Sequence, residues 1–121
     1  MDCVFNNDRP IYIQLVEKIR TEIISGRIKS SERLPSVREI AITVKANPNT
    51  VQKALAELET EGLIYTERTN GKFVTNDITL IEKIRKEVAE EKVKTYLADM
   101  NNIGITYEET LEYLQNIGGN K

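Results

Sequence analysis

Leu34-Pro35-Ser36-Val37-Arg38-Glu39-Ile40-Ala41-Ile42-Thr43-Val44, then Lys45-Ala46-Asn47-Pro48-Asn49-Thr50-Val51-Gln52-Lys53-Ala54-Leu55, is the stretch on which the fold turns. Ser36 stands before a helical pattern with Glu39 three residues on, the arrangement in which hydroxyl and carboxylate each cap the other's backbone N–H. Val37, Ile40, Ala41 and Val44 then recur at i, i+3, i+4, i+7 and predict a short helix with one buried face. Lys45 to Pro48 leave space only for a tight turn. Asn47 can cap a second helix, and Pro48 suits its first position, where a missing N–H costs nothing. This second helix is expected from Pro48 to about Glu61, with Val51, Ala54, Leu55 and Leu58 inward and Gly62 as its stop.

Working outward, Tyr12, Leu15, Val16, Ile19 and Ile23 mark an earlier amphipathic helix, with Pro10 suited to its first turn and Gly26 to its end. A polar connection, Lys29 to Arg33, joins it to Leu34. Residues 1–9 read as a loose arm. On the other side, Leu63-Ile64-Tyr65-Thr66-Glu67 and Lys72-Phe73-Val74-Thr75 read as two strands around Thr69-Asn70-Gly71. Asn-Gly supplies the positive φ angles of a tight hairpin, so both Asn70 and Gly71 are expected there. Helix, short helix, tight turn, helix and hairpin make a winged helix-turn-helix over residues 10–77. The fold class is mainly α with a small β wing.

Residues 78–121 form a helical tail. Ile81, Ile84 and Val88 make one stripe and Val93, Tyr96, Leu97 and Met100 a second, displaced around the helix. A last helix starts at Thr106, with Glu109 completing a capping box and Tyr107, Leu111 and Leu114 on its face, Ile117 beyond. Two stripes imply two partners: the later one packs on the last helix, and the earlier one reaches the winged domain or a second subunit. A single intramolecular hairpin is the plainer alternative.

Composition narrows function. The chain has 121 residues, 40% hydrophobic and 30% charged, the balance of one folded domain with a short appendage. There is no histidine, so the commonest general base, the Ser-His and Cys-His nucleophiles and imidazole metal sites are all missing. The lone Cys3 can close no internal disulfide and form no Cys-based metal site, and it reads as an inert thiol. Glu90, Glu91, Glu108, Glu109 and Glu112 are the densest acidic groups, and a solvated helix face accounts for them. Gly71-Lys72 is no phosphate loop, because the other required positions hold Thr66 and Phe73. The chain is expected to be no enzyme, with no cofactor and no metal. No run is long and apolar enough to span a membrane, and the start lacks a secretory pattern, so a cytoplasmic location is expected.

Net charge is −2. Its distribution matters more than its sum. Residues 1–77 carry eleven basic and eleven acidic side chains, and the tail six and eight. Yet from Arg33 to Ala56, Arg33, Arg38, Lys45 and Lys53 face only Glu39. A focused basic patch binds polyanions where the whole molecule would not. The outward stripe of the helix after the turn shows Asn49, Gln52, Lys53 and Ala56. An amide can pair with an adenine edge in the major groove, Thr50 can reach a phosphate or base, and Lys53 a phosphate or guanine.

Pro10-Ile11-Tyr12-Ile13-Gln14-Leu15, Leu34-Pro35-Ser36-Val37-Arg38-Glu39, Asn47-Pro48-Asn49-Thr50-Val51-Gln52-Lys53-Ala54 and Leu58-Glu59-Thr60-Glu61-Gly62-Leu63-Ile64, in that order, resemble the GntR family of bacterial transcription regulators. The short tail resembles its YtrA-like branch. The resemblance covers about residues 9–76 and implies a dimeric repressor that binds double-stranded operator DNA and controls a transporter-type operon. It places DNA contacts on Arg38, on Asn47 to Lys53 and on the wing tip Asn70-Gly71, with Lys72 beside it. Many members carry an arginine where this chain has Pro48, so base contacts rest on Asn49, Thr50 and Gln52. The tail is too short for a sensor domain, and any small-molecule effector would use a cleft between subunits. A winged helix serving protein–protein assembly without specific DNA readout is the other reading.

Overall fold

The computed structural model describes residues 4–119, so Cys3 lies outside the described residues. The elements are α1 (Ile11–Ile24), α2 (Val37–Val44), α3 (Pro48–Thr60), β1 (Ile64–Glu67), β2 (Gly71–Val74), α4 (Ile78–Asn102) and α5 (Tyr107–Gly118). They divide into two compact units, one running to Ile84 and the other beginning at Arg85.

In the first unit the apolar stripes meet as their spacing requires. Leu15, Ile19 and Ile23 of α1, Ile40, Ala41 and Val44 of α2, and Val51, Ala54, Leu55 and Leu58 of α3 are buried together with Leu63, Ile64 and Val74. Burying an aliphatic side chain of this size contributes about 1.5–3 kcal/mol, so this core supplies most of the drive to fold. Ser36 caps α2 as expected: its hydroxyl accepts the Glu39 N–H at 3.1 Å and Glu39 accepts the Ser36 N–H at 2.9 Å. Arg20 of α1 donates its Nε to Glu61 at 3.0 Å and a second N–H to the other carboxylate oxygen, a fork that ties α1 to the end of α3. Pro10 stands just outside α1 as its N-cap rather than in the first turn. Ahead of it the arm is held by Gln14, a buried side chain that accepts the Asn6 N–H at 3.0 Å and donates to the Asn6 and Arg9 carbonyls at 3.0 and 2.7 Å.

The hairpin is antiparallel, with Ile64 opposite Val74, Tyr65 opposite Phe73, Thr66 opposite Lys72 and Glu67 opposite Gly71. That register leaves a three-residue loop, Arg68-Thr69-Asn70, instead of a tight two-residue turn. Gly71 alone takes positive φ, at 96°, and the expectation of a second such angle at Asn70 is corrected. Asn70 closes the loop differently, donating its N–H to the Glu67 carbonyl and its amide to the Glu67 carboxylate, both at 3.2 Å.

Residues 31–34, which read as a mere connection, pair along the outer edge of β2. Leu34 donates to the Lys72 carbonyl at 2.8 Å, Val74 to that of Glu32 at 2.9 Å, and Ser31 to that of Val74 at 3.0 Å, with Arg33 opposite Phe73. The wing therefore has three edges of chain, β2 in the middle.

α4 begins in the first unit, where Asp77 accepts the Leu80 N–H at 3.1 Å and Ile81 is buried, with Ile84 half-buried one turn on. In the second unit Thr106 caps α5 in a full capping box with Glu109, and the Thr110 hydroxyl, fully buried, donates to the Thr106 carbonyl at 2.8 Å. Leu97, Met100 and Ile105 are half-buried. The expected closure of the later α4 stripe against α5 is incomplete: Val93, Tyr96, Tyr107, Leu111 and Leu114 stay 40–59% exposed and Ile117 83%. Two short amphipathic segments cannot cover each other's full apolar width.

Candidate nucleic-acid interface

Asn47 and Pro48 set how α3 presents itself. The Asn47 side chain accepts the Asn49 N–H at 2.7 Å, so its oxygen is spent on the cap, and Pro48 fills the first position. Lys45 closes α2 in the left-handed conformation at φ 57°, its N–H donated to the Ala41 carbonyl. An L side chain there costs about 1–2 kcal/mol, which the packing of α2 on α3 must offset. The turn aims the outward side of α3 away from the core. Asn49, Gln52, Lys53 and Ala56 are exposed, while Val51, Ala54, Leu55 and Leu58 lie beneath, and Thr50 is half-buried.

The side chains on this face differ in freedom. Gln52 is exposed, with no hydrogen-bond partner among the described residues, and so keeps its donor and acceptor for another molecule. Lys53 rests its ammonium over the Tyr12 ring, 3.9 Å from the centroid, which restricts where its charge sits. Arg38, in the first turn of α2, is exposed and forms no ion pair among the described residues.

Lys72 is placed otherwise than its neighbours in sequence suggest. Its ammonium donates to the Thr66 hydroxyl at 2.8 Å and to Glu59 at 3.3 Å, while Thr66 donates to Glu59 at 2.6 Å. The Thr66 hydrogen bond, seconded by Lys72, holds the Glu59 carboxyl below its ordinary range. Lys72 thus braces the hairpin onto α3. Two other cations are exposed on the wing: Arg68 in the loop, which the sequence pattern did not single out, and Arg33 on the third edge, which it counted in the basic patch but not in the wing, its guanidinium beside Gly71. Arg68 adjoins Asn70-Gly71 and could have been noticed, whereas nothing local marks Arg33 as a wing residue.

Amides and guanidinium groups turned outward on a helix-turn-helix with a wing define a DNA-binding protein of the winged-helix class. Among the described residues there is no group of His, Cys, Asp and Glu suited to a metal and no helix long and apolar enough to cross a membrane. The sequence profile of the bacterial regulatory proteins of the gntR family matches residues 11–74, and the chain belongs to that family. It is 33% identical over 112 residues to the uncharacterized HTH-type transcriptional regulator YhcF of Bacillus subtilis, covering 93% of each chain. To the HTH-type transcriptional repressor YtrA of the same organism it is 36% identical over 110 residues, 89% of this chain and 84% of that one. Among solved structures, a GntR family transcriptional regulator from Listeria monocytogenes superposes with a TM-score of 0.87 at 36% identity, over 93% of this chain and 99% of that one. The AraR DNA-binding domain in complex with operator ORX1 matches 62% of this chain and 96% of its own, with a TM-score of 0.58 at 26% identity. These relatives are named transcriptional regulators, and the chain is a regulator of that family rather than an enzyme.

Proposed function

We propose that the protein is a dimeric repressor that reads its operator through the outward face of α3 and steadies itself with Arg38 and the wing. The observation that carries this reading is the uncommitted Gln52 amide on the exposed face of α3, which also carries Asn49 and Lys53, with Arg38 exposed and without an ion pair on α2 among the described residues. In this assignment Asn49, Thr50 and Gln52 contact bases, while Arg38, Lys53 and the Asn70-Gly71 tip contact the backbone. Asn47 serves mainly by capping the helix that carries them, and Lys72 reaches DNA only by leaving Glu59.

The dimer is supported by the second unit. Val93, Tyr96, Leu111, Leu114 and Ile117 are large apolar side chains left 40–83% exposed in the second unit, the kind of residue that an interaction surface uses. A second copy of the same helices is the partner whose surface matches by symmetry. Residues 78–121 are assigned to dimerisation and residues 10–77 to DNA. The relative named repressor supports repression, and the resemblance to the YtrA-like branch supports a transporter-type operon and a cytoplasmic site of action. Any effector would bind between subunits.

Fluorescence anisotropy with a duplex selected from a random pool tests this. Asn49→Ala or Gln52→Ala should cost about 1–3 kcal/mol on the selected duplex and little on unrelated DNA. Equal losses on both DNAs refute base reading by α3.

A further inference from the structure

We propose that Arg33 is a phosphate clamp of the wing, seated by the missing side chain of Gly71. The inference rests on the DNA-binding reading above and adds a contact residue outside both the recognition helix and the hairpin.

Three observations converge. The backbone of residues 31–34 is fixed along β2 by three hydrogen bonds, so the Cα of Arg33 is placed opposite Phe73 as firmly as a strand residue. Its guanidinium then stands beside Gly71, where a side chain would be: a Cβ at residue 71 would lie 3.2 Å from Nε, 3.4 Å from Nη2 and 3.7 Å from Cζ. Arg33 is nonetheless exposed and has no hydrogen-bond or ion-pair partner among the described residues. Its electrostatic neighbour Glu39 is engaged in capping α2.

A guanidinium whose Nε–Nη2 edge stands beside a residue without a side chain, none of its N–H groups bonded within the described residues, can take a phosphate in a bidentate grip. The neighbouring Lys72 is placed less freely. Lys72 is held by Glu59 and Thr66, whereas Arg33 sits at the same tip without a carboxylate to leave. A phosphate contact carries no sequence information. Its loss should therefore be felt alike on every duplex.

The full chain is titrated onto its selected duplex and onto random duplex across a range of salt. Arg33→Ala should lower the slope of log affinity against log salt by about 0.9 for each winged module, hence weaken binding about eightfold per module at 0.1 M salt, equally on both DNAs. Its melting temperature should match the parent's. Arg33→Lys should restore the slope, and Lys18→Ala, which removes the same charge from a pair with Glu22, should keep the parent's slope. A parental slope in Arg33→Ala, a loss confined to particular sequences, or an equal effect of Lys18→Ala overturns the clamp while leaving the DNA-binding reading intact. A parent that binds neither duplex at low salt overturns both.

Discussion

Gly71→Val concentrates the account of the wing in one atom group. Gly71 has φ of 96°, beyond even the narrow left-handed region open to L residues, and a β-branched side chain is the least able to follow it. Holding valine there costs about 2–3 kcal/mol, and its Cβ would press on the Arg33 guanidinium at 3.2 Å. A domain of this size has about 5–15 kcal/mol in hand, and the α1–α3 core does not include residue 71. The fold should survive, with a melting temperature lower by on the order of 10–20 °C. Binding should suffer more than stability suggests, because the tip is deformed and Arg33 displaced together. Circular dichroism at 20 °C should show parental helix content while anisotropy shows a loss of at least the eightfold per module assigned to Arg33 alone. Parental affinity in Gly71→Val would refute the wing as a contact element. Unfolding at 20 °C would refute the separation of wing from core.

Glu59→Gln should release Lys72 and raise affinity for all DNA up to a few-fold, since an exposed pair of this kind is worth about 0.2–1 kcal/mol; weaker binding would show that the brace itself is required. The stability that Glu59 contributes should be complete above the ordinary carboxyl value of 4.5 and vanish as pH falls through its depressed folded-state value, so thermal melts of parent and Glu59→Gln should converge in acid and differ at neutrality. Deleting residues 85–121, a cut that leaves the buried Ile81 seated in the first unit, should yield a folded monomer by sedimentation that retains only weak, salt-sensitive binding; a truncated dimer would move the interface elsewhere.

Much of the fold was legible because its determinants are local. Ser36 with Glu39, Thr106 with Glu109, and Asn47 before Pro48 act across three residues or fewer, and the capping bonds form as those spacings require. The stripes of α1, α2 and α3 reported burial directly, since a helix with one apolar face has one way to hide it. Asn70-Gly71 signalled a hairpin but not its loop length, because glycine serves a two-residue turn and the last place of a three-residue loop equally. The features that stayed hidden depend on distant partners. The third edge of the wing exists because Leu34 and Glu32 meet Lys72 and Val74, about forty residues away, with no alternation of their own to betray it. Lys72 looked free for want of any local acid, yet Glu59 reaches it from another element. On the candidate site, the exposure of Asn49, Gln52 and Lys53 followed from helix geometry, whereas the Tyr12 ring beneath Lys53 and the seat of Arg33 on Gly71 required the tertiary fold.

The central claim is that two copies of α3 read a duplex of defined sequence. Enriching bound duplexes from a random pool with the full-length protein tests it most directly. The account predicts an inverted repeat whose half-sites lie one helical turn, about 34–36 Å, or a multiple of that apart, with the preference relaxed at the Gln52-contacted position of each half-site in Gln52→Ala. Recovery of unenriched sequence, or of the same repeat with every preference intact by Gln52→Ala, would contradict it.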